Sequence, residues 1–150
     1  MKPEIGHDRA LKELRLLQAC LLVTIPLYVY AGEVLGSAKP KDIRRLGLFL
    51  VLLAALNIWY ALSDGRRAVA KASDVLRSRG EDALAIRRWY GANVVSLTSS
   101  EPLALYGWIL RIFGGTLLQA VPFYACALLL LLVSTPRRVR VSVSRSSIVD

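Results

Sequence analysis

Apolar residues run along this chain in long blocks rather than in alternation. Three stretches carry no charge, Leu16 to Gly32, Leu46 to Ser63 and Ile112 to Pro136; a fourth, Trp89 to Leu110, carries only Glu101. Each block is close to the ~20 residues with which a helix crosses ~30 Å of hydrocarbon. Helices of a soluble bundle keep a polar face, and these blocks have none. The pattern predicts an all-α fold, a four-transmembrane-helix bundle with helices over about 14–35, 46–78, 81–112 and 115–135. The last should begin beyond the Gly114-Gly115 pair.

Between the second and third blocks, Val69, Ala72, Val75 and Leu76 recur at helical spacing among arginines. The second helix is therefore expected to overrun the membrane, bend at Gly80 and return as the third. Glu81 and Asp82 sit where a new helix favours negative charge. Trp59, Tyr60, Trp89 and Tyr90 are placed to mark the headgroup level. One domain is expected over residues 1–136, with a basic tail over 137–150 that lies against lipid. The first block also has features of a cleaved leader, a basic start and the small residues Gly36-Ser37-Ala38. Its long apolar run and the intruding Glu33 favour a retained helix.

Charge sets the orientation. The net charge is +9. Four Lys/Arg precede the first block, seven lie between the second and third, and four follow the last. The first connection holds Lys39, Lys41, Arg44 and Arg45, with Arg111 at the edge of the short one near Gly114. The positive-inside rule then puts both termini and the middle loop in the cytoplasm of an inner-membrane protein. The basic excess faces anionic lipid headgroups, and no aromatic-interleaved basic segment suggests nucleic acid. Cys20 and Cys126 both fall in apolar blocks, without the close spacing of a zinc or redox pair. The single histidine, His7, is in the leader, so paired-histidine haem ligation within the membrane is excluded. No phosphate loop, metalloprotease helix or nucleophile elbow is present, so neither enzyme chemistry nor a cofactor or metal is expected.

A faint internal repeat links the first and third blocks. Pro26, Leu27, Tyr30 and Ala31 match Pro102, Leu103, Tyr106 and Gly107 at constant offset. Two related hairpins would produce this, and so would a chance match of apolar strings.

Glu101 is the residue that most needs a reason. A charged group at a helix centre costs roughly 2.5–3.5 kcal/mol on insertion scales. Pro102 removes a backbone donor and frees the Thr98 carbonyl. Ser96, Ser100 and Ala104 repeat every four residues, and Gly107 and Arg111 continue the stripe, a ladder of small side chains that admits a neighbouring helix. Glu101 borders this ladder. It reads either as an ion-binding carboxylate or as a hydrogen-bonding lock on the bundle. Arg111 lies ten residues on, ~15 Å along the axis, out of reach of Glu101 in the same helix. It is placed to snorkel or to pair with Glu33, which ends the first helix at similar depth.

The segment Ser96-Leu97-Thr98-Ser99-Ser100-Glu101-Pro102-Leu103-Ala104-Leu105-Tyr106-Gly107-Trp108-Ile109-Leu110 resembles the carboxylate helix of rotary ATP synthase c-type proteolipids. There an ion-carrying glutamate is followed by a short aliphatic stretch and Tyr-Gly. The resemblance implies an ion-binding role for Glu101. Elsewhere the chain departs from that family: neither the first nor the second block has its glycine-repeat helix, the middle connection is longer, and Arg111 is foreign to it. Small multidrug exporters are similar in size, but their glutamate is in the first helix, where this chain has Ile25 at the repeat position.

Together these features suggest a non-enzymatic membrane protein acting as a homo-oligomer or as an accessory subunit of a larger complex. The alternative is a proton- or cation-coupled transporter or proteolipid-like subunit using Glu101. With Cys20 and Cys126 replaced, an impermeant thiol reagent outside the cell is expected to label a cysteine introduced at Ser37 but none at Ser78 or Ser147. Labelling at Ser78 would reverse the orientation.

Overall fold

The computed structural model describes residues 6–36, 43–79 and 82–139. The expected bend at Gly80, the charge at Glu81, the Ser37-Ala38 part of the leader site and the tail beyond Val139 lie outside those residues. The described chain is helical throughout. Its elements are α1 (His7–Leu35), α2 (Arg44–Tyr60), a π-helical turn (Ala61–Gly65), α3 (Arg66–Arg79), α4 (Ala83–Thr98), α5 (Glu101–Ile112) and α6 (Leu117–Val133). Two stretches, His7–Leu35 and Arg44–Ser78, are long and apolar enough to cross a membrane; Leu117–Val133 is apolar but shorter.

Helix α1 starts seven residues before the expected Leu14, because the leader is itself amphipathic. His7, Ala10, Leu11, Leu14, Gln18 and Leu21 form a buried stripe, three and four residues apart, through the charged segment and into the apolar one. Outside the stripe, Arg9 pairs with Glu13 one turn on. Helix α2 runs without interruption through the π turn into α3. Asp82 caps α4 by accepting the Leu84 amide at 3.2 Å, the role its position at a helix start suggests. Helix α6 opens with a reciprocal capping box between Thr116 and Gln119.

The expected continuous third helix is divided. Helix α4 ends at Thr98 and α5 begins at Glu101, across a turn at Ser99-Ser100. A proline ring at 102 clashes with the carbonyl four residues back and offers that carbonyl no N–H. The chain tightens instead, with the Ser100 amide donating to the Leu97 carbonyl at 3.3 Å. The corresponding Pro26 lies inside an unbroken α1. The repeat therefore has two different local outcomes. Nor are its hairpins alike, since α5 packs closely on α6 whereas α2 lies against α5 and makes no extended contact with α1.

Two apolar cores stack along the bundle. One gathers Leu14, Leu76, Ala85, Trp89, Leu97 and Leu131 at the end that holds both described termini, here the basic end. The other gathers Leu50, Leu103, Ala104, Leu110, Phe123 and Ala127 toward the far end. The α4–α5 break lies between them. At the far end, Gly114 adopts φ +95° and its amide donates to the Arg111 carbonyl, while the Gly115 amide donates to Leu110 at 2.8 Å. This Schellman-type stop turns the chain into α6.

Three sequence expectations change here. Trp89 is not a headgroup marker: it is 1% exposed, with its ring on that of His7 at a 4.8 Å centroid distance. His7, placed by the sequence in the cytoplasmic leader, is buried with it. The first tail residues also fold back, with Val139 buried and Arg138 paired with Asp8 at 3.0 Å. Trp59, by contrast, is 75% exposed. Trp89→Ala is therefore expected to destabilise the fold by about 3–5 kcal/mol, whereas Trp59→Ala should shift stability little. Thermal or denaturant unfolding in detergent measures both, and equal effects would contradict the assignment of Trp89 to the core.

Candidate functional site

Beside the break that Pro102 imposes, local hydroxyls donate to carbonyls at the end of α4. Thr98 Oγ1 donates to the Val94 carbonyl at 2.9 Å, Ser99 Oγ to Ser96 at 2.6 Å, and Ser100 Oγ to Leu97 at 2.8 Å. The run of hydroxyls before Glu101 thus serves the backbone first. Glu101 opens α5, where the helix dipole favours a carboxylate. Its side chain is half-buried and accepts from the Tyr28 hydroxyl of α1 at 3.3 Å, a long contact for two oxygens.

The small-residue ladder faces inward as its spacing implies. Ser96, Ser100 (2% exposed), Ala104 and Gly107 are buried, while Val95 on the other face is 52% exposed. Gly107 has a particular reason to be glycine: a Cβ there would lie 2.9 Å from Tyr124 Cε1 and 3.3 Å from the Ala120 carbonyl. The Tyr124 ring from α6 occupies that space.

Arg111 forms an ion pair with Glu33, Nη2 to Oε1 at 2.8 Å and Nε to the same oxygen at 2.9 Å. Its other guanidinium nitrogen donates to the Gly115 carbonyl just past the helix end. Gly32 and Gly36 let α1 come this close: a Cβ on Gly32 would sit 3.2 Å from Arg111 Cβ, and one on Gly36 would sit 3.2 Å from the Arg111 carbonyl. Glu101 and Arg111 thus belong to separate clusters, one at the break and one at the far end. Trp108 lies between, its ring 6.1 Å from that of Tyr28. Trp108 Nε1 and the Tyr124 hydroxyl are buried and accept or donate no hydrogen bond among the described residues.

Sequence reasoning overlooked Tyr28, Trp108, Tyr124 and the Gly32/Gly36 pair. The glycines carried a signal, since they stand four apart like the ladder on α5. The tyrosines and tryptophan did not, because an aromatic inside an apolar block has no pattern that separates packing from polar contact. Among the described residues no three His, Cys, Asp or Glu side chains come together as metal ligands.

A cavity of about 340 Å³ opens at the basic end between the π turn, α3, α4 and the segment after α6. It reaches Asn93 and Ser96, and Glu101 is not among its lining residues. No family model, curated protein or solved structure matches the chain. Ser100→Leu is expected to destabilise the bundle by about 1–3 kcal/mol through overpacking, with Val95→Leu near neutral. Detergent-resistant folding, followed by thermal unfolding, reads the difference; equal tolerance at both positions would place the contact on another face.

Proposed function

We propose that this chain is a multi-pass protein of the inner membrane, with four crossings and both termini cytoplasmic. We further propose that it acts without catalysis, as a homo-oligomer or an accessory subunit of a membrane complex. The observation that carries this reading is a reversal of burial. Large apolar side chains such as Leu16, Leu27, Phe49, Leu52, Leu118 and Leu129 are exposed, while Gln18, Asn93, Ser96 and Ser100 are buried. Leaving each large apolar side chain in water forfeits roughly 1.5–3 kcal/mol, and a surface so covered suits hydrocarbon.

Helices α4 and α5, taken across their turn, serve as one crossing, with hydroxyls of Thr98, Ser99 and Ser100 donating to carbonyls at the end of α4, as suits hydrocarbon. Helix α6, at 17 residues, is at the short end of the spanning range. The distribution of Lys and Arg supports the orientation. An assembly is supported by α2, of which only Leu50 and Ala54 are buried, leaving most of its apolar surface to lipid or to another protein.

A second reading is a proton- or cation-coupled role for Glu101, as the resemblance to c-type proteolipids suggests. It is supported by the break itself, since ion sites in transporters are often built where a spanning helix is interrupted. The bond from Tyr28 and the absence of Glu101 from the cavity wall favour the architectural reading. The two are separable. On the architectural reading Glu101→Gln keeps its hydrogen bond and should assemble and function normally, while Glu101→Leu leaves Tyr28 without its acceptor and should cost about 1–3 kcal/mol. On the ion-carrying reading Glu101→Gln should assemble yet abolish ion-coupled uptake in proteoliposomes, because the amide cannot titrate. Native mass measurement in mild detergent reads assembly; a protein that is monomeric and without partners there would overturn the proposed role.

A further inference from the structure

The cavity at the basic end lies outside the Glu101 cluster, and its lining combines two chemistries. Arg66, Arg77, Arg137 and Arg138 border it, against one carboxylate, Asp74. Arg77 is 3.7 Å from Asp74, and Arg138 is engaged by Asp8. Arg66 and Arg137 have no ion-pair partner among the described residues, and both are exposed. Deeper in, the wall presents Asn93 and Ser96, both buried. The rest of the wall includes Leu62, Leu130 and Val133. Leu62 and Val133 are also exposed on the outer surface, so the cavity meets the apolar exterior of the bundle along its side.

The π turn contributes to this arrangement. Ala61 and Leu62 line the cavity from within the turn, and Arg66 follows immediately after it. Such widened turns are kept mainly where a site needs them. A basic rim beside an apolar wall fits a molecule with an anionic head and a hydrocarbon tail. It fits a free anion less well, since a free anion has no use for the leucine and valine wall.

We propose that this cavity binds one anionic phospholipid. Its phosphate would sit against Arg66 and Arg137, with the first methylenes of an acyl chain along Leu62, Leu130 and Val133. This rests on the membrane reading above and goes beyond it, because basic surfaces also attract anionic headgroups diffusely. Arg87 and Arg88, exposed on α4 and outside the cavity lining, supply the comparison for that diffuse effect.

The test uses the full chain, purified in neutral detergent, stripped of lipid and titrated with phosphatidylglycerol or with phosphatidylcholine of the same chains. Native mass spectrometry counts the lipids retained. One phosphatidylglycerol is expected to bind in preference to phosphatidylcholine. Arg66→Gln with Arg137→Gln should weaken it roughly tenfold or more, by loss of charge-assisted contacts. Ser134→Asp, which adds an anion to the same lining, should weaken it as well. Arg87→Gln with Arg88→Gln should leave it unchanged, and circular dichroism should find every variant equally helical. Equal weakening by the α4 pair would overturn the proposal in favour of diffuse attraction. Displacement of the lipid by equimolar inorganic phosphate would overturn it in favour of a free-anion site. A chain that stays in solution without detergent would overturn the membrane reading itself; a detergent-dependent chain with no preference for phosphatidylglycerol would overturn this inference alone.

Discussion

The absence of side chains at Gly32, Gly36 and Gly107 controls how closely α1, α5 and α6 approach. Polar contacts in this region need that closeness. With α1 against α5, the Tyr28 hydroxyl reaches Glu101 and the Glu33 carboxylate reaches Arg111. With α6 against α5, the Tyr124 ring lies over Gly107. On the membrane reading proposed above, helices in lipid have no hydrophobic drive toward association, so backbone proximity and the dispersion and hydrogen bonds it permits would supply it. A methyl group at any of the three would crowd the neighbouring helix and lengthen these bonds together, so the polar pairs are consequences of the packing more than causes of it.

The break at Ser99-Ser100 shows how the hydroxyls beside a proline turn back onto the end of the preceding helix. Three hydroxyls in succession return to carbonyls of their own turn. These bonds are local and draw on no other helix. Glu101 then stands at the start of a new helix and between two cores, where a carboxylate is better tolerated than in the middle of an uninterrupted one. This explains a residue that composition alone marks as out of place.

Much of the fold was legible because it follows from the length and polarity of blocks, which read directly from residue type. The all-helical class, the overrun of α2 into α3, the helix start near Asp82 and the inward ladder of Ser96, Ser100, Ala104 and Gly107 all rest on periodicity or on a single local rule. The pairing of Glu33 with Arg111 was one of two outcomes that depth allowed, the other being a snorkelling Arg111. What escaped was tertiary. Trp89 was read by residue preference as an interfacial ring, but the partner that covers it, His7, lies eighty-two residues earlier in the chain. The early start of α1 was hidden because the leader's charges alternate with its buried stripe, two members of which are His7 and Ala10 rather than large apolar residues. The division at Pro102 was half legible: the freed carbonyl was evident, but Pro26 and Pro122 sit within intact helices, so proline by itself does not decide.

Helices α2 and α3 form one rod held unequally along its length. Its far half is buried at little more than Leu50 and Ala54, whereas Ala72 and Leu76 fix the near half in the basic-end core. The π turn between them is also a wall of the cavity. The opening beside Leu62 and Arg66 is therefore bordered by the junction between the firmly held and the loosely held halves of one continuous helix.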